Sequence, residues 1–123
     1  MYTEIARREA VLGDLKCTSL TVVDMSGEPA IVLHADETLG NGVVIHNPVG
    51  TPALLLVADE TGNSVAITDK SGEPAMLLRT SELANRVIVR NPVGKDGIRI
   101  SAGKVANRVT VHNQVGIITW EVP

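Results

Sequence analysis

An eleven-residue repeat runs through nearly the whole chain, and it leaves few folds open. Counted back from Pro123, the register holds to Tyr2 with one extra residue absorbed near Leu39. Eleven repeats, that insertion and Met1 account for all 123 residues. Neighbouring repeats differ while alternate ones match, so the larger unit is twenty-two residues long. A strand and turn repeated at such a period builds an elongated scaffold, and scaffolds carry binding or assembly more often than chemistry.

Within each repeat, position eight runs from Glu9, Leu20 and Ile31 to Val109 and Trp120, and position ten from Val11, Val22 and Leu33 to Val111 and Val122. Of these 22 side chains, 21 are apolar, and most are β-branched or Leu. Position nine is mixed, from Thr21 and Leu55 to Arg99 and Glu121. Apolar residues two apart with a variable one between are the mark of a strand with one buried face. β-branched side chains suit a pleated surface better than a helix.

Two kinds of turn alternate. Odd repeats open with Asp24, Asn47, Asp69, Asn91 and Asn113, followed three residues later by Gly27, Gly50, Gly72, Gly94 and Gly116. An Asx side chain caps such a turn, Pro48 and Pro92 pre-set φ at the second position, and glycine accepts the conformation needed at the fourth. Even repeats place Asn41, Asn63, Asn85 and Asn107 just before the strand, spaced by 22. Strands of five to seven residues between these turns leave no room for a long helix. The expected fold is all-β, with 11/22-residue strand–turn repeats forming an elongated β-solenoid or β-meander in one domain, 1–123. Residues 1–12 would be an atypical capping repeat and 13–123 the regular repeats.

Parity keeps positions eight and ten on one face in either geometry. A turn centred between Lys70 and Ser71 would set Val65 opposite Met76, and one centred between Glu82 and Leu83 would set Leu78 opposite Val87. A parallel solenoid would also stack Asn41, Asn63, Asn85 and Asn107 into a ladder at about 4.8 Å. The sequence does not separate the two. One sheet burying one face has nothing of its own to bury against. Either the chain coils on itself or several chains join apolar faces, and a trimeric β-prism or β-helix is the expected solution.

Composition narrows the function classes. The chain has no Phe, one Tyr and one Trp, so its core is aliphatic. Carbohydrate modules and single-stranded nucleic-acid binders commonly stack their ligands on aromatic platforms, which Tyr2 and Trp120 alone cannot supply. No nucleic-acid partner is expected. No apolar run approaches a membrane span, and no signal peptide is visible, which suits a cytoplasmic chain or one exported without a visible signal. The single Cys17 excludes an internal disulfide framework.

The Asp24–Ile31 and Asp69–Met76 segments, of the form Asp-x-Ser-Gly-Glu-Pro-Ala-apolar, resemble tandem 22-residue β-repeats of uncharacterised bacterial proteins. The run Ser19 to Asp24 is similar in the same way, and the likeness extends over most of the chain from Leu15. In outline the repeats also resemble trimeric β-helical shafts of phage fibres and spikes. That second resemblance implies rigid spacing, trimer formation and receptor contact. No functional residue carries over from either group.

Chemistry-bearing residues recur as repeat positions rather than departing from them. His34, His46 and His112 all occupy position eleven, at strand exits. Imidazoles from several chains around a threefold axis could ligate a metal, whereas the plainer reading is surface or turn histidines. The Asx positions invite a calcium reading, but three of the five are neutral Asn and the Gly-Gly-x-Gly-x-Asp pattern is absent, which favours turn capping. No nucleophile motif, zinc spacing or phosphate loop is present, so neither an enzyme nor a cofactor is expected.

Charge is unevenly placed. Residues 1–68 carry three basic and nine acidic groups, whereas residues 69–112 carry eight basic and four acidic ones. Arg79, Arg86, Arg90, Arg99 and Arg108 belong to the basic stretch, a candidate electrostatic interface for head-to-tail self-association. The expected function is a non-catalytic structural scaffold, an obligate oligomer partnered by itself as a homotrimer, without membrane insertion. The alternatives are a receptor- or ligand-binding, adhesin-like fibre module and, after it, a metal protein using the strand-exit histidines.

Overall fold

The computed structural model of the protein describes residues 16–37 and 40–123. The expected capping repeat and the insertion at Leu39 lie outside them. Ten strands run in chain order: β1 (Ser19–Val23), β2 (Pro29–Asp36), β3 (Gly40–His46), β4 (Pro52–Asp59), β5 (Gly62–Thr68), β6 (Pro74–Arg79), β7 (Ala84–Arg90), β8 (Asp96–Gly103), β9 (Asn107–His112) and β10 (Ile118–Val122). All belong to one sheet whose spatial order is the chain order, and every adjacent pair is antiparallel. The chain is therefore an all-β meander, not a parallel coil. Nine strand spacings make the sheet about 43 Å wide.

Odd hairpins close through a three-residue loop. At Asp69, the backbone N–H donates to Glu73 O at 2.8 Å, and Gly72 N–H donates to Asp69 O at 3.1 Å. Asp69 Oδ1 accepts from Ser71 N–H at 2.8 Å, Glu73 N–H at 3.1 Å and the Ser71 hydroxyl at 2.6 Å. Gly72 takes φ +88°, a left-handed conformation that closes such loops. The same backbone pair recurs at Asp24, Asn47, Asn91 and Asn113. Even hairpins differ. Asp59 pairs with Gly62 across the two-residue loop Glu60–Thr61.

A loop of three residues would turn the next strand over, because opposed residues share a face and side chains alternate. A bulge in each odd hairpin turns it back. Thr68 pairs with Pro74 and Ile67 with Met76, so Ala75 is the extra residue. Ala30, Ala53, Gly97 and Thr119 occupy the same place in the other odd hairpins. The expected pairing of Val65 with Met76 is thereby corrected to Val65 with Leu78, two residues further along. The even hairpin needs no correction, since Leu78 does face Val87.

Burial within the chain also departs from expectation. Among the described residues the only buried side chains are Ala66, Ile88 and Thr110, at 9, 7 and 4 % exposure, and all three occupy position nine. Positions eight and ten form no interior stripe within one chain. Ile67 and Leu78, for example, remain 45 and 47 % exposed. Among the described residues no second layer covers them. The four asparagines are strand residues rather than residues preceding strands, and they form no ladder at strand spacing. Asn41 and Asn63 both pair with Ala58, which separates them by two strands, or about 9.6 Å.

Candidate functional site

Following the pairing across the sheet shows what its two faces present. On face A, one ladder runs Leu20, Leu33, Val43, Leu56, Val65, Leu78, Val87, Ile100, Val109 and Val122. Beside it a second ladder runs from Val22 and Ile31 through Ile45, Leu54, Ile67, Met76, Val89, Ile98 and Val111 to Trp120. Every strand contributes one apolar residue to each. Position eight of one strand meets position ten of the next, and the bulges hold that match across every odd hairpin.

Face A is hollowed over β1–β6. A groove of about 910 Å³ is walled on one side by the first ladder, from Leu20 to Leu78. The other wall is the row Thr18, Ala35, Asn41, Ala58, Asn63 and Thr80. Small residues leave that wall low, and repeated bulges bend the strands and increase their twist. Two hydrogen bonds, one backbone–backbone and one to a side-chain hydroxyl, tie the rim together. Thr80 N–H donates to Asn63 O at 2.8 Å, and Asn63 N–H donates to the Thr80 hydroxyl at 3.1 Å. Asn41, Asn85 and Asn107 are exposed at equivalent strand starts. An apolar trough with few polar groups can hold apolar side chains or hydrocarbon, and Cys17 and His34 stand among its lining residues near β1 and β2.

Face B is apolar only in its middle. Its central row reads Thr21, Val32, Val44, Leu55, Ala66, Leu77, Ile88, Arg99, Thr110 and Glu121. All five arginines named from the sequence lie on this face, each one residue from a ladder residue of face A. Asp96 binds the Arg99 guanidinium and lies 3.6 Å from Arg90 Nε. Glu121 lies 2.6 Å from Arg108 Nε. Arg79 and Arg86 are direct cross-strand partners and make no ion pair among the described residues.

The histidines are not brought together. His46 and His112 sit on β3 and β9, six strand spacings or about 29 Å apart. Both side chains carry a buried Nδ1 without a hydrogen-bond partner. His34 lies over Gly42, its cross-strand partner, where a Cβ would come within 2.5 Å of the ring. Strand alternation places all three on face B, and His34 also stands among the groove's lining residues. Among the described residues no group of three His, Cys, Asp or Glu is placed to hold a metal ion.

The Asx residues act on their own turns. Hydrogen bonds from the Ser26 and Ser71 hydroxyls, joined by backbone N–H groups, hold the carboxyls of Asp24 and Asp69 below the ordinary range. The Thr61 hydroxyl does the same for Asp59, with a smaller contribution from the Arg79 charge. Asn47, Asn91 and Asn113 accept from the corresponding backbone N–H groups without a charge. Among the described residues no helix is long and apolar enough to cross a membrane. No protein-family model matches the chain, and no curated protein matches it, so its functional reading rests on the two faces of the sheet.

Proposed function

We propose that this protein is a non-catalytic structural scaffold that assembles with copies of itself through face A, three chains closing into a triangular β-prism. The observation that carries this reading is the pair of unbroken apolar ladders, ten residues each, lying open on a sheet whose described residues include almost no interior. An exposed apolar area of that extent marks an interface. Self-association is the economical choice of partner because the surface is itself a repeat, and closed symmetric assemblies of one chain are the common outcome. Three sheets around an axis would bury all the ladders at once and leave face B outward, with the histidines and arginines on the outside. The likeness of the repeats to trimeric fibre shafts points the same way.

Multi-angle light scattering at high salt tests the reading. The expected mass is three times the 13.0 kDa of one chain. A folded monomer would overturn the scaffold and make the groove over β1–β6 a ligand site instead.

A further inference from the structure

Beyond the apolar face, one margin of face B has a pattern of its own. Its continuous row nearest the even turns reads Ser19, His34, Gly42, Val57, Ser64, Arg79, Arg86, Ser101 and Arg108 from β1 to β9. The first five carry no fixed charge and three of the last four are arginines. The hairpin tips beyond this row also carry charge. Glu37, Asp59 and Glu60 lie at the β2–β3 and β4–β5 turns, a single acid, Glu82, lies at β6–β7, and Lys104 lies at β8–β9. Because strand order is chain order, the uneven charge of the sequence becomes a gradient in space, acidic toward β2–β5 and basic toward β6–β9.

Arg79 and Arg86 make the basic half unusual. They face each other across β6 and β7, both exposed. Like charges directly opposed on a sheet repel and weaken it. The other three arginines are ion-paired, Arg90 and Arg99 sharing Asp96 and Arg108 meeting Glu121. A second chain turned by a two-fold axis would bring its acidic tips to this pair and receive theirs in return. Such a contact is self-complementary, with residue i meeting j and j meeting i. Within the chain the Arg79 charge helps, as the smallest of several causes, to hold the Asp59 carboxyl low, and the two form no ion pair among the described residues.

We propose that Arg79 and Arg86 form the centre of a docking surface for a second copy of this protein, whose Glu37, Asp59 and Glu60 hairpin tips they bind in a two-fold arrangement. Face A closes the basic unit and face B joins one unit to another. This inference rests on the scaffold reading for the identity of the docking unit, not for the contact itself.

The test is the native chain's mass by light scattering at about 20 mM and about 500 mM salt, since screening shortens from roughly 20 Å to roughly 4 Å between them. The expected result is twice the high-salt mass at low salt. The R79E/R86E variant should keep the high-salt mass at both concentrations, and the milder R86Q should weaken doubling at least tenfold. An E37R/E60R variant should also fail to double alone, but should form the larger species when mixed with R79E/R86E. A native mass that ignores salt overturns the proposal, as does doubling that survives in either charge-reversed variant alone. Failure of the scaffold would show separately, as a monomer mass at high salt.

Discussion

Ala66 and Ile67 are chain neighbours on opposite faces of β5, and the smaller of the two is the buried one, at 9 % exposure against 45 %. Ala66 lies on face B between Leu55 and Leu77. Ile67 lies on face A between Leu54 and Met76, in a ladder that nothing among the described residues covers. An isoleucine kept half open while an alanine is buried makes sense if face A meets its partner after folding.

Ile67→Asp should therefore affect assembly more than the fold of the single chain. Full burial of such a side chain contributes about 1.5–3 kcal/mol, and a carboxylate in its place must be desolvated as well. The expected outcome is dissociation, read as a drop in mass by light scattering. Met25→Asp, at a fully exposed turn, should leave the mass unchanged. Equal masses for Ile67→Asp and the native protein would count against face A as the interface.

Glycine substitutions should sort by the space around them. At Gly62 the backbone has φ +140°, and an added Cβ would meet Thr80 O at 1.8 Å. At Gly27 the backbone has φ +90° with nothing within 4 Å. Gly27→Ala should then cost about 1–2 kcal/mol from the left-handed conformation alone. Gly62→Ala should cost more, because the β4–β5 turn must move away from the β6–β7 loop. Urea unfolding of the two variants checks the order, and equal midpoints would contradict it.

Acid should destabilise the protein through its aspartate turns. The carboxyls of Asp24, Asp59 and Asp69 are held low by hydroxyl and backbone hydrogen bonds. A carboxyl depressed in the folded state adds stability that is fully present above its unfolded value, about 3.9, and is lost as pH falls through the folded one. Thermal melts should stay level from neutral pH to about pH 5 and then decline. Replacing all three by Asn, which already caps the turns at 47, 91 and 113, should flatten that decline. An unchanged acid limb in the triple variant would place its origin elsewhere.

The strands were legible because apolar residues two apart suit only a pleated surface, and the alternation at Val65, Ile67, Met76 and Leu78 has no helical reading. The bulge was not. Ala75 carries no signal within a strand, and its effect appears only once the loop before it is known to be odd in length. The row buried in a single chain was hidden for another reason. Burial at Ile88 depends on Leu77 and Arg99 beside it across the sheet, and position nine is too varied along the chain to announce such contacts. On the proposed scaffold reading, what covers face A is a property of more than one chain, and no spacing within one chain displays it.

Deletion of residues 69–90 tests the unit of twenty-two directly. Each odd hairpin turns the faces over at its loop and back at its bulge, and each even hairpin leaves them alone. Removing one odd and one even hairpin step therefore preserves every face. The cut joins Thr68 to Asn91, and Ile67 would pair with Ile98 as Val89 does now. Stability in such arrays is nearly a sum over units and their neighbours, so the shortened chain should remain an all-β fold of eight described strands. Deleting Ala75 alone is the contrasting case. It removes one residue, turns the strands after it over relative to those before, and sends half of each ladder to face B. Far-UV circular dichroism and light scattering should find the first variant folded and assembled and the second aggregated or unfolded. A well-folded Ala75 deletion would refute the role given to the bulge.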